Sequence, residues 1–112
     1  MRRAIKKIVV QRGVDDITIV IQGTGPLTYR LSPVDSQRLS LDLPNVVSAI
    51  RFQVLPVDHL LLKRIRIGQH PKKLRVVFDL NHPLDKGLRY AIKAMGDQLT
   101  VRLSLPARKV HE

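Results

Sequence analysis

Asp42 and Asp79 are the residues of this 112-residue chain whose type and placement come nearest to catalysis. Two carboxylates facing one bond can divide the acid and base or nucleophile roles of glycoside hydrolysis. Each aspartate, however, ends a short alternating apolar run, directly before Leu-Pro or Leu-Asn. There a carboxylate readily accepts hydrogen bonds from the following turn or pairs with a neighbouring arginine. That structural role is the one expected for both. His59, His70, His82 and His111 include no pair at i, i+2 or i, i+4 that would chelate zinc, and all four are expected as solvated residues near turns or prolines. The chain has no cysteine, which removes disulfides, thiol catalysis and cysteine-based zinc sites. Gly23-Thr-Gly-Pro26 reads as a hairpin turn rather than a phosphate cradle. No catalytic constellation, metal site or cofactor site is expected.

Charge points to binding instead. Twenty Lys and Arg stand against nine acids, a formal net charge of +11. Such a surplus attracts polyanions: nucleic acid, anionic lipid or a carboxylate-rich wall polymer. The plainer alternative is a soluble basic surface with no dedicated partner. From His59 to Phe78 the chain holds no acid, while Lys63, Arg64, Arg66, Lys72, Lys73 and Arg75 are basic. If the strand through Arg64 and Arg66 pairs with the one through Arg75, the three arginines share a face, and their planar forks suit bidentate contact with carboxylate or phosphate. The competing reading is an edge strand charged to discourage sheet-to-sheet aggregation. Readers of nucleic acid interleave aromatics for base stacking, and this stretch has only Phe78, on the expected core side.

The elements that would position these side chains are strands. Aromatics make up only 4% of the chain, so the core rests on Val, Ile and Leu, which pack well on a pleated surface. Alternation runs through Ile17, Ile19 and Ile21, through Leu27, Tyr29 and Leu31 up to Pro33, and through Leu39, Leu41 and Leu43. It resumes at Ile65 and Ile67, then at Leu74, Val76, Phe78 and Leu80. Tyr90 and Ile92 follow, then the run from Leu99 to Leu105. The opening from Ala4 to Gln11 is strand-compatible. Between Val46 and Leu62, one helical turn near Asp58-His59 is allowed. About eight short strands with turns between them describe an all-β sandwich of two small, mostly antiparallel sheets. Arg38-Leu-Ser-Leu-Asp-Leu-Pro44 and Arg75-Val-Val-Phe-Asp-Leu-Asn81 nearly repeat one another, so two related halves are expected to pack face to face. No apolar run reaches the roughly 18 to 20 residues of a membrane-spanning helix. Met1-Arg-Arg-Ala-Ile5 has no apolar h-region and no small-residue cleavage site, so the chain is expected to be either cytoplasmic or a piece excised from an exported protein.

With Ile65-Arg-Ile-Gly-Gln69 and a closing Leu99-Thr-Val-Arg-Leu103 added to the two repeated motifs, the order and spacing resemble the AMIN domain from about Ile5 to Leu105. The family's proline directly before the first arginine is here displaced to Pro33. The resemblance implies a non-catalytic β-sandwich spanning 4–106, with tails 1–3 and 107–112 belonging to an excised fragment. It implies a periplasmic module that binds peptidoglycan and localises an N-acetylmuramoyl-L-alanine amidase or a type IV pilus secretin, those domains of the parent protein being its partners. On that reading Arg64, Arg66 and Arg75 meet stem-peptide carboxylates, Gln69 and Asp79 contact amide or hydroxyl groups, and Arg38 and Asp42 are the equivalents in the other repeat. Asp79 orienting an arginine is the alternative role. Two other functions compete: a basic β-barrel binding nucleic acid, and a protein-docking module in a secretion or pilus assembly. Were the basic strand an exposed edge, it would leave room for a weak strand-to-strand dimer; the oligomeric state is otherwise left open.

Overall fold

The computed structural model describes residues 2–106; His111 and the tail 107–112 lie outside the described residues. The order is β1 (Arg3–Arg12), β2 (Asp16–Gly23), β3 (Arg30–Asp35), β4 (Arg38–Pro44), β5 (Val46–Ser48), β6 (Val54–Pro56), β7 (Leu62–Gln69) and β8 (Lys73–Leu80). A single 3-10 turn (Leu84–Lys86), β9 (Arg89–Met95) and β10 (Gln98–Ser104) complete it. Two five-stranded sheets result: β5-β1-β2-β10-β9, called here sheet A, and β3-β4-β8-β7-β6, sheet B. Every pair is antiparallel except β1 with β5. The all-β sandwich of two mostly antiparallel sheets is therefore what the chain forms.

Alternation fixes which face is inside. Ile17, Ile19 and Ile21 of β2 and Leu99, Val101 and Leu103 of β10 are buried, as are Leu39, Leu41 and Leu43 of β4 and Leu74, Val76 and Phe78 of β8. The residues between them turn to the outer faces, as a period of two requires. Because registry in such a sheet is set by its buried face, the outer rows of sheet B are placed as firmly as its core.

Several expectations are corrected. The near-repeats do not face each other across the core. They are β4 and β8, direct neighbours in one sheet, with Arg38 opposite Asp79, Ser40 opposite Val77 and Asp42 opposite Arg75. An antiparallel pairing of two like segments creates a local two-fold, and here it exchanges hairpin β3-β4 with hairpin β7-β8. The strand expected to end before Pro33 instead contains it; β3 is an edge of sheet B, the position where a missing N–H is tolerated. Gly23-Thr-Gly-Pro26 is a crossing from sheet A to sheet B and not a hairpin, with Thr24 Oγ1 accepting from the Ala4 N–H at 3.0 Å. The helical turn allowed near Asp58 is a tight non-helical turn: Asp58 takes φ 54°, and the N–H groups of Val57 and Asp58 both donate to the Lys63 carbonyl. Aspartate tolerates that left-handed backbone better than most residues. His59, expected in solvent, is buried. Its Nε2 lies 2.8 Å from the Gly13 carbonyl and its Nδ1 accepts from the Leu61 N–H, which ties the β1-β2 turn to the β6-β7 turn. The basic strand β7 is not the edge of its sheet, since β6 pairs outside it along Arg64 to Arg66, so the charged-edge reading of those two arginines does not hold.

Candidate functional site

Four strands assemble the outer face of sheet B around two buried or half-buried carboxylates. Asp79 leaves the core alternation of β8 pointing outward, opposite Arg64 of β7. Arg64 Nε donates to its Oδ2 at 2.8 Å, and Arg66 donates bidentately, Nε to Oδ2 at 2.7 Å and Nη2 to Oδ1 at 2.9 Å. Arg64 and Arg66 are two residues apart on one strand, so both guanidinium groups reach one carboxylate on the neighbouring strand. Asp42 of β4 is held in the same manner: Arg75, its register partner, donates Nε at 2.8 Å and Nη2 at 3.2 Å, and Lys73 Nζ donates at 3.2 Å.

The carboxylates respond accordingly. The hydrogen bond from Arg75 is the main cause that lowers Asp42 from 3.8 to about 2, with Lys73 assisting against a smaller burial effect. Burial alone would push Asp79 up, but the hydrogen bonds and charges of Arg66 and Arg64 together outweigh it and leave its carboxyl below the ordinary range. The same bonds raise Arg66 and Arg75. Both aspartates are therefore ionised at neutral pH and act as anchors for arginines. Neither is available as a catalytic acid.

A cleft of about 690 Å³ opens beside Asp79, lined by Arg38, Lys63, Arg64 and Arg66 and by Gln37 and Asn81. A second depression of about 420 Å³ shares Arg38 and Arg66 and extends to Arg75 and His70. Arg38 is tied to Asp35 at 2.7 Å in an exposed pair, not to Asp79 across from it. Lys63 makes no ion pair among the described residues. Its position comes from a bulge: the register of β7 on β8 shifts between Leu62 and Arg64. The extra residue lets Leu62 and Ile65, three apart, both face the core while Lys63 is thrown onto the rim.

Of the residues proposed from sequence, Arg38, Asp42, Arg64, Arg66, Arg75 and Asp79 come together on this face. Gln69 does not. It pairs with buried Leu74, so it lies on the core side of the sheet's end. There its Nε2 donates to the Val46, His70 and Lys73 carbonyls and its Oε1 accepts from the Ser48 N–H, which braces β5 against β7. Lys63, Gln37 and Asn81 line the cleft although sequence reading did not select them. Lys63 stood in the acid-free basic stretch, and the broken alternation at Leu61-Leu62-Lys63-Arg64 was the advance signal of its bulge; nothing local marked Gln37 or Asn81. No aromatic lines either depression, and among the described residues no group of three His, Asp or Glu could hold a metal ion.

The outer face of this two-sheet β-sandwich thus carries outward-facing cationic side chains held in place by two carboxylates over a sealed core. The chain belongs to the AMIN domain family, whose model matches residues 5–103. Domains of that family are in general non-catalytic peptidoglycan-binding modules of amidases and secretins, and are typically periplasmic. No curated protein matches the sequence. No described helix is long and apolar enough to cross a membrane.

Proposed function

We propose that this chain binds peptidoglycan through the outer face of sheet B and thereby localises an amidase or secretin of which it is one folded unit, residues 4–106, in the periplasm. The observation that carries the proposal is the arrangement around Asp79. Four cations line one cleft together with one carboxylate, and two of them are locked in orientation by it. Held guanidinium groups lose little freedom when a ligand binds, so more of each contact's energy appears as affinity. With no aromatic platform on this face, recognition runs through charge-assisted hydrogen bonds rather than sugar stacking. Arg64, Arg66 and Arg75 present donors, Asp79 and Asp42 aim them, and Arg38 links the two depressions. The work of the module is to hold a neighbouring domain at the wall; the bond-breaking belongs to that partner.

The same lack of aromatics argues against a nucleic-acid reader, although both ligands would lose affinity as salt rises. Ligand choice separates the two readings. The protein is pelleted with purified sacculi and, at matched ionic strength, tested for shift of a single-stranded oligonucleotide. The expected result is co-sedimentation with sacculi and no comparable shift. Release of muropeptides by this chain, with or without added zinc, would contradict the non-catalytic part of the reading.

A further inference from the structure

Resting on that reading, we propose that the cleft beside Asp79 receives the free carboxylates of stem peptides and not the glycan strand, with Lys63, Arg64 and Arg38 as its principal ligand contacts. Arg66 and Asp79 are positioning residues. The inference follows from counting which donors remain. Arg66 spends Nε and Nη2 on Asp79, whereas Arg64 spends only Nε and keeps both terminal nitrogens for a ligand. Lys63 spends nothing on an acid among the described residues, and its bulged position places it at the rim. Arg38 gives Nε and Nη2 to Asp35 at 3.0 and 2.7 Å, but that pair is exposed, and a better-placed carboxylate can displace so screened a partner.

These donors have one preferred partner. A carboxylate accepts from both a guanidinium fork and an ammonium, and such charge-assisted bonds are roughly twice as strong as neutral ones. Sugar hydroxyls offer neutral bonds to the same groups, and the apolar faces of a pyranose find no aromatic ring here. Asp79 sharpens the selection. Ionised and sunk in the floor, it fixes the forks and repels an anion that enters too deeply, so a ligand carboxylate is held at the level of Lys63 and Arg38. Gln37 and Asn81, brought side by side in the cleft lining by the Leu80 N–H bond to the Gln37 carbonyl, can serve an amide of the peptide.

The test uses the full chain and four probes. They are the synthetic stem peptide L-alanyl-γ-D-glutamyl-diaminopimelate with free carboxylates, the same peptide amidated, a peptide-free N-acetylglucosamine oligomer, and inorganic phosphate. Each is titrated while backbone amide resonances are followed, and each is tried as a displacer of the protein from sacculi stripped of phosphate polymers. The free peptide should shift resonances around Arg38, Lys63 and Arg64 and displace the protein. The amidated peptide, the glycan and phosphate should each need at least tenfold more. Lys63→Gln should weaken the free peptide threefold or more with an unchanged unfolding midpoint, and Lys6→Gln on sheet A should not. Equal competition by glycan or by phosphate, or an unaffected Lys63→Gln variant, overturns the inference while sacculus binding still stands. Peptide binding with no retention on intact sacculi would instead sink the wall-binding reading and leave the carboxylate site intact.

Discussion

The two acid-arginine clusters on sheet B arise from the same short motif and a local two-fold, yet they end in different states. At Asp42 the register partner Arg75 closes on the carboxylate and Lys73 completes it. At Asp79 the equivalent register partner is Arg38, but Arg38 turns to Asp35 and the carboxylate is taken by Arg64 and Arg66 of β7. By symmetry the counterpart of Arg64 is Arg30, opposite Asp42 on β3, and the counterpart of Arg66 is Ser32. One cluster is nearly self-satisfied. The other has more cations than its single acid can use, with Lys63 added by a bulge that β3 lacks at that point. Two like motifs thus end as one nearly self-satisfied cluster and one with cations to spare, through differences in the flanking strands and not in the motif itself.

That difference can be broken at its centre first. Asp79 is more buried than Asp42 and anchors two guanidinium groups. Asp79→Asn should cost about 2–3 kcal/mol, since it removes charge-assisted bonds and leaves cations facing one another. Urea unfolding at neutral pH would show it. The same measurement on Asp42→Asn should give a smaller loss, about 1–2 kcal/mol. Equal losses would mean that the two clusters are energetically alike despite their geometry.

Acid provides a second way to separate them. Asp42 is lowered from 3.8 to about 2 on folding. A depressed carboxyl contributes stability that is fully present above about pH 5 and is lost as pH falls toward about 2, an effect of up to about 2 kcal/mol. Asp79 contributes with the same sign. Stability measured from pH 6 down to pH 2 should therefore fall, and Asp42→Asn should flatten the lower part of that curve. The smallest effect belongs to the exposed pair. Asp35→Asn should leave the urea midpoint nearly where it is, since an exposed, screened pair contributes little, even though the change frees Arg38.

Much of this was legible before any coordinates. The strict alternation of Ile17 to Ile21, Leu39 to Leu43 and Leu74 to Leu80 names the buried rows outright, because a two-residue period leaves one face for the core. The pairing of Asp42 and Asp79 with arginines also followed from where they stand in the chain. What was hidden depends on neighbours in space. Nothing local in the repeat says whether its copies pair side by side or stack across a core. Gln69 looks like any outward polar residue until its register opposite Leu74 is known. His59 looks solvent-exposed until the β1-β2 turn arrives over it. Lys63 needed the bulge, which shows in the sequence only as four residues out of phase.

The central claim, that the outer face of sheet B is what meets the wall, is tested most directly by charge reversal at matched net charge. Arg38→Glu with Lys63→Glu alters the cleft without removing an anchor of a buried carboxylate, so folding should survive. Lys6→Glu with Lys7→Glu makes the same change in net charge on exposed positions of β1 in sheet A. Both proteins are compared with the unaltered chain by co-sedimentation with purified sacculi at one salt concentration, after their unfolding midpoints are shown to be close. The account predicts that the cleft variant loses at least about tenfold in affinity, from lost charge-assisted contacts and new repulsion, and that the sheet A variant loses much less. Equal losses in the two would contradict it, because global charge alone would then explain binding.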